Sequence, residues 1–207
     1  MMKYPDALPE CRRRGLFPSR RKLTPLLVGL FLFMVGGCAT WQAPESVDDT
    51  GLRERAISET VDDVRLSAAV LRAADSQQLL GADVNAKGIQ PVWIEITNDT
   101  DEDMLFMPRS VDPDYFAPLE VAQKTSWTWS KQANLEKKWF YYEHNIPFAV
   151  PPGETISGFV FANRSIGVRW VLVEVFSRSH AVYVEFVHEI PGFRADYHKH
   201  DEGDLWE

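Results

Sequence analysis

The sequence predicts a mainly β protein: an immunoglobulin-like antiparallel β-sandwich carrying a short helical, aromatic-rich insertion. Three observations point there. Between Val64 and Ile190, seven short or medium runs alternate or concentrate apolar side chains, as the strands of packed sheets do. Turn-forming residues separate these runs, among them Lys87-Gly88, Asn98-Asp99-Thr100-Asp101 and Pro151-Pro152-Gly153-Glu154. The two longest runs, Val168 to Phe176 and His180 to Ile190, have the β-branched and aromatic content of central sheet members.

Upstream of the strands, residues 1–37 read as a signal peptide. Leu23 to Gly37 is almost uncharged, is preceded by Arg20, Arg21 and Lys22, and is closed by Val35-Gly36-Gly37-Cys38. The run is shorter than the roughly 20 apolar residues that cross a bilayer core, and a basic start, an apolar middle and small residues at the end describe a secretory signal. The closing four residues resemble the lipobox of bacterial lipoproteins, whose cysteine receives a diacylglyceryl group and becomes the mature N-terminus. The resemblance implies lipid attachment at Cys38, with the membrane as a partner through the lipid. An uncleaved signal anchor is the alternative, since the same basic residues would orient it. Two glycines directly before the cysteine favour cleavage, because the reaction needs small side chains beside the scissile bond. Ala39 rather than Asp resembles the residue that permits export to the outer membrane, so a host with two membranes would hold the protein on that membrane's periplasmic face.

Removing residues 1–37 takes away seven of the 22 Lys and Arg and two of the 30 Asp and Glu, so the mature chain carries a formal charge of −13. That balance opposes nucleic acid, whose recognition rests on cations neutralising phosphates. It also offers no basic patch for anionic headgroups, leaving attachment to the lipid. The second cysteine, Cys11, lies in the removed part. A lipidated Cys38 then leaves no thiol for a disulfide, and the domain must rely on its core.

Taken in order, residues 38–55 are polar, with Pro44, Glu45, Asp48 and Asp49 and no sustained period, and read as a tether. Trp41 within it is either an aromatic at headgroup level or a chance linker residue. A single β-sandwich domain spans 56–197. Its first strand has Val64, Leu66, Ala68 and Val70 on one face. A helical turn capped by Asp75 or Ser76 ends at Gly81, and a second strand sets Val92, Ile94 and Ile96 against Trp93, Glu95 and Thr97. A third strand, Met104 to Met107, stops at Pro108. An insertion at about 109–145 then breaks the rhythm. It contains a helix capped by Ser130 and running to about Tyr142, with Leu135, Trp139 and Tyr142 at helical spacing on one face. Strands resume with Ile146 to Val150 and Thr155 to Phe161, before the two long runs. An acidic tail, 198–207, follows as a peripheral segment.

Several stretches carry a second resemblance: Gly88-Ile89-Gln90-Pro91-Val92-Trp93, Asp112-Pro113-Asp114-Tyr115-Phe116, Pro152-Gly153 with Ser157-Gly158-Phe159, and Pro191 to Tyr197. Over roughly residues 60–197 they look like a family of uncharacterised bacterial proteins, some of which are associated with domains similar to the C-terminal domain of LssY. The resemblance implies no activity.

Residues that could carry chemistry are few. No Gly-x-Ser-x-Gly elbow occurs. His198-Lys199-His200-Asp201-Glu202 gathers metal-ligand types, but a chain end lacks the rigid second shell a zinc site needs. Asp99 to Asp103 opens like a calcium loop and then fails, with Met104 at the turn-glycine position. No metal and no cofactor is therefore expected. Asp112 and Asp114, with Glu120 nearby, could serve a glycan hydrolase as acid and base. The competing reading makes Asp112 a turn starter capping backbone N–H groups. Eight of the 25 aromatics fall between Tyr115 and Tyr142. They suit either a lid over the core or a surface for an envelope protein or glycan, with Trp127, Trp129, Trp139 and Tyr115 as candidate contacts. The sequence thus predicts a lipid-anchored cell-envelope protein, a non-enzymatic interaction or assembly module, with an envelope hydrolase acting on glycans as the alternative.

Overall fold

The computed structural model describes residues 41–125 and 130–190. Cys38, Trp127, Trp129 and the acidic tail lie outside the described residues, and so does the expected signal peptide.

Among the described residues, eight strands form two antiparallel four-stranded sheets, a β-sandwich as the alternation predicts. The first sheet is ordered β1-β2-β3-β6 and comprises β1 (Ile57–Val61), β2 (Val64–Val70), β3 (Ile89–Asn98) and β6 (Thr155–Asn163). The second is ordered β5-β4-β7-β8 and comprises β4 (Met104–Phe106), β5 (Ala149–Val150), β7 (Val168–Phe176) and β8 (Ala181–Glu189). Because side chains alternate across a strand, Val64, Leu66 and Ala68 of β2 and Val92, Ile94 and Ile96 of β3 share one face. There they meet Val171, Val173 and Val175 of β7 and Val182, Val184 and Phe186 of β8 in one buried core. Most are β-branched, which suits the pleated surface and keeps side-chain entropy loss small.

One strand is additional to the seven expected. β1 pairs with β2 through a turn at Asp62 and Asp63, both with positive φ (47° and 62°). That left-handed geometry is tolerated by Asp better than by most residues.

β3 and most of β2 are covered on both sides, beyond the single apolar face that alternation gave β2. Every residue of β3 from Ile89 to Ile96 is buried. The outward set, Trp93, Ala69, Phe159 and Phe161, enters a second core beneath a layer of helices. These are α1 (Thr50–Arg55), α2 (Ala73–Leu80), α4 (Pro118–Thr125) and α5 (Lys131–Glu143), while the short α3 (Pro108–Val111) packs by β7. The insertion therefore covers a face of the first sheet.

The tether expectation for 38–55 is corrected over residues 41–55. Trp41 and Leu52 are buried in the second core, and the polar residues between them are committed to the sheet. Trp93 donates from Nε1 to Asp49 at 3.1 Å. Arg53 pairs with Glu95 at 2.6 Å and with Asp49 at 3.1 Å, and its guanidinium lies 5.4 Å from the Trp93 ring centre. A polar segment without periodicity can thus be structural when its charges meet partners on a sheet. Arg55 adds an ion pair to Asp75 on α2.

Expected Ile146 to Val150 is a strand only at Ala149–Val150. Residues before it lie along the β6 edge, where Phe159 N donates to His144 O (2.9 Å) and Ile146 N to Phe159 O (3.2 Å). Gly158 allows that approach: a Cβ there would stand 2.6 Å from Ile146 N and Cα, both backbone. Gly158→Ala is expected to destabilise by about 1–3 kcal/mol, the usual cost of overpacking. Denaturant unfolding checks it, and an unchanged midpoint would show that the crossing chain yields freely.

Candidate interaction surface

Helix α5 positions the aromatic residues singled out in the sequence. Ser130 caps it, its hydroxyl accepting from Ala133 N at 3.2 Å, which satisfies one of the free donors at a helix start. The face turned to the protein is Lys137, Phe140 and Tyr141, at the i, i+3, i+4 spacing of one helix side. Leu135, Trp139 and Tyr142, the stripe that periodicity suggested as the apolar face, point outward instead. They are 50%, 53% and 62% exposed, and Trp139 and Tyr142 stand edge to face at 5.8 Å. The buried stripe contains a lysine, so hydropathy favoured the wrong side. Burial, and then the neighbouring Lys138 charge, holds the Lys137 ammonium below its ordinary range.

Beneath α5 the second core is tied by one shared acceptor. Leu80 ends α2, and Gly81 follows in the left-handed conformation (φ 69°) typical of a helix stop. The free carbonyl of Leu80 accepts from Trp41 Nε1 at 3.1 Å and from the Tyr141 hydroxyl at 3.2 Å. Trp41 packs against Phe140 at 5.5 Å and Tyr141 at 6.3 Å. Desolvation pushes the Tyr141 phenol up to about 12, so it remains a hydrogen donor throughout physiological pH. A side chain on Gly81 would meet Gln42 O at 2.6 Å and Trp41 Nε1 at 2.9 Å, so the chain at Trp41 runs tight against this corner.

Of the candidate contacts, Trp139 is presented outward. Tyr115 is partly buried against the core between the sheets. Phe116 bonds the β6 edge through its N–H to Phe161 O at 2.7 Å. The aromatic cluster therefore divides: Phe116, Phe140 and Tyr141 form the lid, while Trp139 and Tyr142 form a surface.

The carboxylates divide similarly. Asp112 is buried and accepts from Asp114 N (2.9 Å) and Asn163 N (2.8 Å), besides pairing with Arg169 at 3.2 Å. This is the turn-capping role expected of an Asp before Pro. Arg169 also donates to the carbonyls of Val111 (2.9 Å) and Asn163 (2.7 Å). It thereby locks the start of the insertion to β6 and β7. Asp114 is exposed, and Glu120 accepts from Ala117 N at 2.7 Å in the turn before α4. Opposite Arg169 on the neighbouring strand sits His188, whose imidazole is held below its ordinary range by burial.

Asp99 to Asp103 form the β3–β4 turn, organised by the buried Asn98 side chain, which donates to Glu102 O and Val150 O, both at 2.8 Å. Among the described residues, no three His, Cys, Asp or Glu side chains are grouped to hold a metal ion. Nor is any described helix long and apolar enough to cross a membrane.

No family model matches the chain, and no curated protein matches it. Among solved structures, a FixG-related protein from Vibrio parahaemolyticus aligns with 63% of this chain and 99% of its own, at 13% identity and a TM-score of 0.34. So slight a likeness carries no functional argument.

Proposed function

We propose that this chain is a lipid-anchored cell-envelope protein whose domain acts as a non-enzymatic interaction or assembly module. The observation that carries the reading is the apolar run ending in Val35-Gly36-Gly37-Cys38, which supplies a signal and an acylation site together. Each buried methylene of an acyl chain contributes about 0.8 kcal/mol, and more than one chain is needed for stable attachment. In a host with two membranes, the proposed location is the periplasmic face of the outer membrane. Two features support interaction over catalysis. Asp112, the central carboxylate of the hydrolase alternative, is engaged with Arg169 and two backbone N–H groups. Aromatic side chains, the residues richest in binding energy, stand exposed on α5.

Metabolic labelling with a fatty-acid analogue tests the anchor. Wild-type chain is expected to take up label and to migrate as a processed form, and Cys38→Ser to stay unlabelled and full length. Label and processing retained in Cys38→Ser would end the proposal.

A further inference from the structure

Two exposed aromatic faces compete for the role of contact surface. One is the outer stripe of α5, Leu135, Trp139 and Tyr142. The other is the uncovered face of the second sheet, where Trp170 and Val187 are cross-strand partners and Tyr183 is 71% exposed. Composition does not separate them. The position of Trp41 does.

We infer that Leu135, Trp139 and Tyr142 of α5 form a bilayer-contact face, holding the domain in a fixed orientation on the membrane to which Cys38 is attached. The inference rests on the lipid-anchor reading above and assigns to the bilayer the aromatics that a protein or glycan could otherwise use. Trp41 is three residues beyond Cys38, and those three Cα–Cα steps reach about 11 Å at full extension. Trp41 is fixed, 8% exposed, by its bond to Leu80 O and its rings against Phe140 and Tyr141. An α-helix with its side chains is about 10 Å across, so the outer side of α5 lies within the distance that the acylated cysteine can cover. The second sheet lies on the far side of the first. Packed layers stand about 10 Å apart, which puts its outer face roughly 20 Å from Trp41, beyond that reach.

Charge agrees with this orientation. Between Pro118 and Glu143 the chain has four Lys and three Glu, a nearly neutral face that an anionic surface does not repel. The densest group of acidic residues lies elsewhere, while Glu45, Asp75 and Asp83 belong to the segments around Trp41. Asp99 N bonds Asp63 O, and Asn98 N bonds Glu154 O, so the turns bearing Asp62, Asp63, Asp99, Asp101, Glu102, Asp103 and Glu154 meet at one end of the sandwich, with Arg65 and Arg178 nearby. That end lies at the Asn98 terminus of β3. Trp41 bonds Leu80 O, and the chain after Leu80 leads through Val84 to the Ile89 terminus, about 30 Å away along a strand of 10 residues. Trp and Tyr with an apolar body and a polar tip are the side chains that settle at headgroup depth.

The test uses the lipidated chain in vesicles of phosphatidylethanolamine and phosphatidylglycerol, some of whose lipids carry a nitroxide quencher near the headgroup. With Cys38 acylated, Tyr142→Cys and Tyr183→Cys each offer one thiol for a fluorophore. Circular dichroism melts confirm that both variants fold, and flotation with the vesicles confirms anchoring. The expected result is that the fluorophore at 142 loses most of its emission in quencher-containing vesicles while that at 183 keeps its own. Equal emission at both positions in floated protein would overturn the bilayer face and leave the anchor standing. Quenching at 183 alone would reverse the orientation. Shielding of 142 in whole envelopes but not in pure lipid would replace the bilayer by a protein or glycan partner. Failure to float would remove the anchor itself, an outcome separate from the other three.

Discussion

Trp41→Ala is expected to lower the free energy of unfolding by about 3–5 kcal/mol, the range for deleting a large buried aromatic. The indole fills the corner between Leu80, Phe140 and Tyr141. Its removal leaves a cavity and strips the Leu80 carbonyl of one of its two donors. Urea unfolding of the mature domain, followed by far-ultraviolet circular dichroism, measures the loss. A change within about 0.5 kcal/mol, as for ordinary surface substitutions, would mean that residues 41–55 are a tether after all. The same cause predicts that a domain trimmed to begin at Ala56 is fragile. Trimming uncovers Trp93 and deprives Glu95, buried on the sheet, of Arg53.

The second large effect is expected at Asp112. Asp112→Ala leaves the Arg169 guanidinium buried without its anion, a change that typically costs 3–5 kcal/mol. Adding Arg169→Met to Asp112→Ala is expected to restore part of the loss, because two well-packed apolar groups avoid the unpaired charge. If the double variant were less stable than the single by the full cost of Arg169→Met alone, the two residues would be acting independently. Acid should show the same linkage. Burial alone would push the Asp112 carboxyl up, but the N–H groups of Asn163 and Asp114 together with Arg169 hold it below its ordinary value of 3.8. A depressed folded-state pKa contributes stability that is complete above the unfolded value and is lost as pH falls through the folded one. The acid limb of the stability curve should therefore be shallower in Asp112→Ala than in wild type.

How much of this was legible in the sequence varied with the physical signal available. The apolar pattern located β2, β7 and β8 to within a residue and β3 with its start three residues late, because their inward faces are mostly Val, Ile and Leu. The Ser130 cap located α5. β1 was missed because its residues are exposed or nearly so, leaving no apolar period, and because Asp62-Asp63 is a weaker turn signal than a pair containing glycine. The helical layer had one sign in the sequence: Trp93, Phe159 and Phe161 are too large and apolar for a solvated sheet face. Which helices meet that face depends on contacts between residues as distant as Trp41 and Tyr141, and no local pattern encodes those. On α5 two aromatic stripes coexist, and the one containing Lys137 is buried. Tertiary packing overrode hydropathy there, and the same choice left Trp139 and Tyr142 outside.

The two-sided burial of β3 bears on how this protein can change over time. A strand with one wet face, such as β8, with Ala181, Tyr183, Glu185, Val187 and Glu189 outward, has alternate positions where substitutions are nearly free. From Ile89 to Ile96, β3 has none: a larger or polar replacement on one side disturbs the valine-rich core, and on the other it disturbs the layer that holds Trp41 and α5. Mutational scanning of the domain should find this strand its least tolerant stretch. New binding properties would arise by drift on α5 and β8, with β3 as the part that stays the same.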